Sequence, residues 1–106
     1  MIDLDRTFTA LGDPTRRAIV MSLADSEQPL SEVAAPFDMS LTAVSKHVRV
    51  LSEAGLVHVE KRGRTRYCQL RAAPMREASE WLGNYRLFWG SQVRSLASYL
   101  ESENDE

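Results

Sequence analysis

Residues 40 to 66 hold Lys46, Arg49, Lys61, Arg62, Arg64 and Arg66 against only Glu53 and Glu60. This stretch is +4 while the remainder is −6, so the overall net charge of −2 hides a local cation source. A phosphate responds to charge within a Debye length of about 8 Å, so the segment matters more than the total. Within it, Thr42, Ala43, Ser45, Lys46 and Arg49 share a helix face that is small or basic and has no acid before Glu53. Exposed helices ordinarily mix charge signs, and an acid-free face suits a polyanion. Small residues let a helix sit deep in the major groove, where an alanine or a threonine methyl can touch a thymine methyl. Lys46 and Arg49 have the reach for phosphates or a guanine edge. The chemistry these residues suit is DNA binding.

The element that positions this face is a helix. Leu41, Val44, Val48 and Leu51 recur at helical spacing and form an apolar stripe on the opposite side. Ser40 stands where it caps the start, and Gly55 is the stop signal. Ahead of it, Ser31 and Glu32 open a short helix through Val33, Ala34 and Ala35, and Pro36 to Met39 make the turn. A short helix, a tight turn and a longer helix with a basic face are a helix-turn-helix arrangement. Beyond it, Leu56 to Arg62 is a strand by its β-branched alternation, Gly63-Arg64 a turn, and Thr65 to Leu70 the returning strand. The basic tip, with Lys61, Arg62, Arg64, Thr65 and Arg66, suits phosphate or minor-groove contact, although charge also keeps an exposed edge hairpin soluble.

Leu4 to Leu11 is expected as a helix with Leu4, Phe8 and Leu11 on one face and Gly12 at its end. Asp13 caps a second helix with Pro14 at its first position, and Ala18, Ile19, Met21 and Leu23 continue it. Arg16 and Arg17, early in that helix, suit structural or backbone contacts rather than base reading. Gln28-Pro29-Leu30 is extended because a residue before proline is pushed out of the helical region. From Pro74 to Glu101 one long helix carries Trp81, Tyr85, Phe88, Trp89 and Tyr99, five of the chain's eight aromatics. Gly83 and Gly90 interrupt it, each costing about 1 kcal/mol relative to alanine, which close helix approach or local bending explains. Residues 101–106 are expected to be a solvated acidic tail.

These elements make one domain over residues 1–106, mainly α with a small β-hairpin, in the order α-α-α-α-β-β-α. With 43% hydrophobic and 26% charged residues the chain is an ordinary globular one. No signal peptide or membrane span is expected, and the single Cys68 rules out an internal disulfide and fits a cytoplasmic setting. Two histidines, one cysteine and no glycine-rich phosphate loop supply no nucleophile, base and orienter set, so no enzyme is expected. His47 flanks the apolar stripe and suits a packed histidine bonding a backbone carbonyl or a phosphate. Cys68 reads as a small strand residue rather than a redox switch.

Leu11-Gly12-Asp13-Pro14-Thr15-Arg16-Arg17-Ala18-Ile19, Met39 through Leu51, and Ala54-Gly55-Leu56-Val57 together resemble the ArsR/SmtB family of bacterial winged-helix transcriptional repressors. The resemblance extends from Phe8 through the last helix and includes the basic hairpin. It implies a homodimer built from residues 1–11 and 74–101, with Leu4, Phe8, Trp81, Tyr85, Phe88 and Trp89 at the interface. It also implies two recognition helices entering successive major grooves of a near-palindromic operator. The DNA-contacting set is then Ser40, Thr42, Ala43, Ser45, Lys46, His47, Arg49, Lys61, Arg62, Arg64, Thr65 and Arg66.

In many members of that family a metal effector loosens DNA binding. One family site uses a Cys-x-Cys pair on the helix before the recognition helix, but Ser31-Glu32-Val33-Ala34-Ala35-Pro36 has neither cysteine nor histidine. A second uses carboxylate and histidine ligands on the last helix, which here has no histidine or cysteine and places its acids at Glu77, Glu80 and Glu101. Zinc and softer metals want several such ligands converging, so no metal and no cofactor are expected, and the aromatic last helix resembles a non-metal branch. Those aromatics suit a dimer seam or core, and can also line a pocket for an unidentified small-molecule effector. Two alternatives stay open: a metal- or thiol-responsive sensor with an atypical site around Cys68 or His58, and a winged-helix protein-interaction module.

Overall fold

The computed structural model describes residues 2–84. Its elements are α1 (Leu4–Leu11), α2 (Pro14–Ser22), β1 (Gln28–Pro29), α3 (Leu30–Ala34), α4 (Leu41–Glu53), β2 (Val57–Arg62) and β3 (Thr65–Leu70). A further helix, α5, runs from residue 72 to the end of the described region at 84. Tyr85, Phe88, Trp89, Gly90 and the expected course of the helix to residue 101 lie outside the described residues.

Local chemistry sets the first two helices. The Asp3 carboxylate accepts the Arg6 N–H at 3.2 Å and so caps α1. Gly12 ends α1 with an ordinary φ of −73°, and a Cβ there would lie 3.2 Å from the Thr9 carbonyl oxygen, a tight contact that the carbonyl would have to yield to. Asp13 accepts the N–H groups of Thr15 at 2.8 Å and Arg16 at 3.1 Å, opening α2 with Pro14 in its first turn. From α2, Arg16 donates Nε to the Ala10 carbonyl at 2.6 Å and Nη2 to that of Thr9 at 3.2 Å, while Arg17 donates Nη1 to that of Leu11 at 2.7 Å. The last turn of α1 has no cation of its own, so the two arginines satisfy its free carbonyls and its negative dipole end. The structural role expected of them is the one observed.

The apolar face of α2 differs from expectation. Ile19, Val20 and Leu23 are buried, whereas Met21 is 74% exposed and Ala18 is also exposed. Ile19 and Leu23 are one turn apart and share a face, and two residues on from Ile19 the helix has turned Met21 to the far side. A second difference is in the sheet. Gln28 and Pro29 form a short strand on β3, pairing with Cys68 and Tyr67, so the sheet has three antiparallel strands in the order β1-β3-β2 rather than a lone hairpin. Two residues are too few to show alternation, and proline tolerates this place because β1 lies at the sheet edge. Leu30 is not extended. It begins α3 with Pro29 as its cap, and Ser31 makes no cap bond there.

Helix α4 follows its expected bounds. Ser40 Oγ accepts the Ala43 N–H at 3.1 Å, and Val44, Val48 and Leu51 are buried. Leu41 departs from the stripe and is 54% exposed, because the first helical position lies past the reach of the core. Gly55, at φ +78°, takes the left-handed conformation that stops α4, and the Leu56 N–H returns to the Leu51 carbonyl at 2.9 Å. In the β2–β3 hairpin Arg62 pairs with Thr65 across a two-residue loop, with Gly63 at φ +63° in the position where a type II′ turn demands positive φ. Helix α5 starts two residues before the expected Pro74, which falls in its first turn and lacks only an N–H that no helix bond would use. Among the described residues, nothing lies within 4 Å of a Cβ placed on Gly83.

Ile19, Val33, Val44, Leu51, Leu56 and Cys68 are almost wholly enclosed and join α2, α3 and α4 to the inner face of the sheet, with Ala10 of α1 in the same cluster. Burial of this one cluster holds α4 and the β2–β3 wing in a fixed relation.

Candidate nucleic-acid interface

Thr42, Ser45, Lys46 and Arg49 are spaced i, i+3, i+4 and i+7, so they share one face of α4. That face looks across a groove of about 540 Å³ to Arg64, Thr65 and Arg66 of the wing. Leu30 and Ser31 at the start of α3, together with Leu41, complete its lining. The four charged residues around the groove, Lys46, Arg49, Arg64 and Arg66, are all basic. Arg49 donates to Glu53 one turn on at 3.2 Å, with both side chains largely exposed, a pair weak enough to exchange for another anion. Among the described residues, no carboxylate lies within 4.0 Å of Lys46, Arg64 or Arg66. The groove therefore gathers positive charge between one helix and one hairpin tip, and among the described residues three of its four cations, Lys46, Arg64 and Arg66, have no carboxylate partner.

Strand alternation brings the wing to this position. Val57, Val59 and Lys61 project from one face of β2, and their partners on β3 are Leu70, Cys68 and Arg66. The inner ends of both strands are packed into the core through Val57 and Cys68. Further out along the same face, Lys61 and Arg66 pass beyond the core. Arg66 reaches the groove, whereas exposed Lys61 is not part of its lining.

The remaining residues of the expected DNA-contacting set are placed elsewhere. Exposed Ser40 spends its hydroxyl on the α4 cap. Half-buried Ala43 is absent from the groove lining. His47 faces α2, with Nδ1 4.0 Å from Asp13 Oδ1 and 3.4 Å from Arg16 Nη1, which matches a packed histidine more than a groove residue. Arg62 lies on the outer face of β2 and is held by Glu27, Glu60 and Tyr67. Leu30, Ser31 and Leu41 were missed as lining residues. The first helix of a helix-turn-helix crosses the DNA backbone, so a serine at its start was a usable signal for Ser31. No sequence signal separated Leu41 from its stripe.

Outside the groove lining, two carboxyls are shifted. The Asp13 carboxyl is held below its ordinary value by the Arg16 N–H above all, with burial opposing and Thr15, His47 and the Arg16 charge adding to the lowering. Glu27 is lowered by its bonds to Arg62, again against some burial. Burial pushes the Cys68 thiol up, away from the reactive thiolate. Among the described residues, no group of three or more His, Cys, Asp or Glu side chains is placed to hold a metal ion. No helix among them is long and apolar enough to cross a membrane.

On the other side of the domain, α1 meets α5 where the rings of Phe8 and Trp81 stand edge to face, 5.7 Å apart at 62°. Leu4 and Phe8 are half-buried, while Trp81 and Leu82 are 46% and 48% exposed.

A helix-turn-helix domain family model matches residues 11–60. The HTH-type transcriptional regulator Rv2034 of Mycobacterium tuberculosis is 35% identical over 102 residues, 96% of this chain and 92% of that protein. The transcriptional repressor SdpR of Bacillus subtilis is 26% identical over 82 residues, 77% of this chain and 91% of its own. Among solved structures, the ArsR family transcriptional regulator RHA00566 superposes with a TM-score of 0.76 at 38% identity, covering 83% of this chain and 91% of that one.

Proposed function

This chain belongs to the ArsR family of winged helix-turn-helix transcriptional regulators, DNA-binding proteins rather than enzymes, and we propose that it is a metal-independent homodimeric repressor reading a near-palindromic operator. The observation that carries the reading is the groove between α4 and the wing, whose charged lining is basic throughout. In the proposed division of labour, Thr42, Ser45, Lys46 and Arg49 meet base edges and phosphates in the major groove, and Arg64, Thr65 and Arg66 hold the backbone beside it. Ser40, Ala43 and His47 support α4, and Lys61 adds to the field around the wing.

What supports the homodimer is the exposed Trp81 and Leu82 beside Phe8, an apolar and aromatic surface at the α1–α5 contact where the family resemblance implies the partner. Dimerisation through residues 1–11 and 74–101 would set the recognition helices about 34 Å apart, one turn of B-DNA. An effector, still unidentified, would then act by tilting the dimer without touching the reading face. Repression accords with the name of the Bacillus relative, and metal independence with the absence of Cys or His from residues 31–36. The working place of such a regulator is the cytoplasm, with the DNA. The test is fluorescence anisotropy with labelled duplexes across salt concentrations, with and without zinc or copper. Affinity should fall by about a decade per two phosphate contacts between roughly 50 and 200 mM salt. Salt-indifferent binding, or release of the duplex by micromolar metal, would overturn the corresponding part of the reading.

A further inference from the structure

Among the described residues, Arg62 is the one wing arginine whose guanidinium is already held by carboxylates. Nη1 and Nη2 donate to the two oxygens of Glu27 at 2.7 and 2.8 Å, and Nη2 also donates to Glu60 at 3.0 Å. The guanidinium carbon lies 4.5 Å from the centroid of the Tyr67 ring. The arrangement has a consistent geometry. Glu60 pairs with Tyr67, Tyr67 also pairs with Pro29, and both Arg62 and Glu27 stand two residues from a member of that row. Since side chains two apart along a strand share a face, the cluster crosses the outer face of all three strands. It ties the wing tip, at the end of β2, to the loop before β1 on the far side of the central strand β3.

We infer that the contact of Glu27 with Arg62 over Tyr67 is a strap that positions the wing for DNA, making Glu27 an acidic residue on which DNA affinity depends. The inference rests on the reading of the α4–wing groove as the DNA site. Arg62 acts through its neighbours: with two carboxylates on one guanidinium the cluster is net negative and has no cation to offer a phosphate. What the strap supplies is the stance of Arg64 and Arg66. Arg64 sits in the two-residue turn that directly follows Arg62, and Arg66 is the second residue of the returning strand, so fixing Arg62 limits how far the tip can swing from α4.

The sign of one substitution separates this role from simple electrostatics. Glu27→Gln removes a negative charge, which by itself strengthens attraction to DNA, and it leaves Arg62 with Glu60 alone, more available to a phosphate. The strap reading expects the opposite. On a duplex of about 30 base pairs and arbitrary sequence at roughly 50 mM salt, Glu27→Gln and Arg62→Gln should each weaken binding about two- to fivefold. The double variant should be no weaker than either, and the swapped pair Glu27→Arg with Arg62→Glu should recover much of the loss. Thermal melts by circular dichroism confirm that each variant is folded at the assay temperature. Tighter binding by Glu27→Gln, or loss with Arg62→Gln alone, would overturn the inference by making Arg62 a phosphate ligand. Unchanged affinity in both would reduce the strap to a merely structural contact and overturn it too. Steep salt dependence in the wild type alongside either result leaves the DNA reading standing, whereas a wild type that binds no duplex removes both.

Discussion

Arg64→Ala tests the wing as a phosphate clamp and at the same time counts protomers. Arg64 is exposed at the hairpin turn, lines the groove, and has no carboxylate within ion-pair distance among the described residues. Its removal should leave the core and α4 as they are. Each phosphate neutralised contributes about 0.9 to the slope of log affinity against log salt, so a dimer losing one contact per protomer should have a slope shallower by about 1.8. A rise from about 50 to 200 mM salt is some 0.6 in log units, so the variant should escape roughly one decade of the salt penalty that the wild type suffers. The four basic residues of the groove, doubled in a dimer, set the ceiling at about eight contacts and a wild-type penalty of roughly four decades. The assay is anisotropy titration at several salt concentrations, on both a preferred and a scrambled duplex. Affinity for the two should fall by the same factor. A slope change near 0.9 would indicate one protomer on the DNA. An unchanged slope, or an altered preference between the duplexes, would refute the assignment of Arg64 to the backbone.

Three further outcomes are expected. Ser40→Ala deletes the bond that caps α4 and should cost about 1 kcal/mol, seen as a fall of about 4–8 °C in the melting temperature. Acidification should destabilise the fold through Asp13 and Glu27, whose folded pKa values lie below their ordinary 3.8 and 4.5. The unfolded state then binds protons more readily, so their stabilisation is complete above those ordinary values and is lost as pH falls through the lowered ones. Melting temperature against pH should hold from pH 7 to about 5 and drop below about 4, with a shallower drop in Asp13→Asn. Cys68, enclosed and with its thiol pushed up by burial, should react with a thiol probe only as fast as the domain opens, and promptly in denaturant. Fast native labelling would revive the redox reading.

What could be read directly from the chain was local. Helix caps act over two or three residues, so Asp13 announced the start of α2, and Ser40 and Gly55 the bounds of α4, before any packing was known. The period of Val44, Val48 and Leu51 marked which side of α4 is buried. What could not be read depended on distant partners. β1 exists because Gln28 and Pro29 meet β3, and two residues carry no periodic signal. His47 turned out to face Asp13 and Arg16, residues on another helix. Arg62 was grouped with the other wing cations because its partner, Glu27, lies 35 residues away. Strand alternation alone separates Arg62 from Lys61 and Arg66, and applying it to the hairpin would have split the basic cluster into an inner and an outer set.

Selection of bound fragments from the source genome, followed by footprinting of those retained, tests most directly whether this domain is a sequence-reading dimer. The expected result is enrichment of fragments that share a near-palindromic site, with protection of two half-sites whose centres lie about 34 Å apart on one face of the duplex. Retention no better than input DNA at roughly 100 mM salt, or protection of a single half-site, would contradict it.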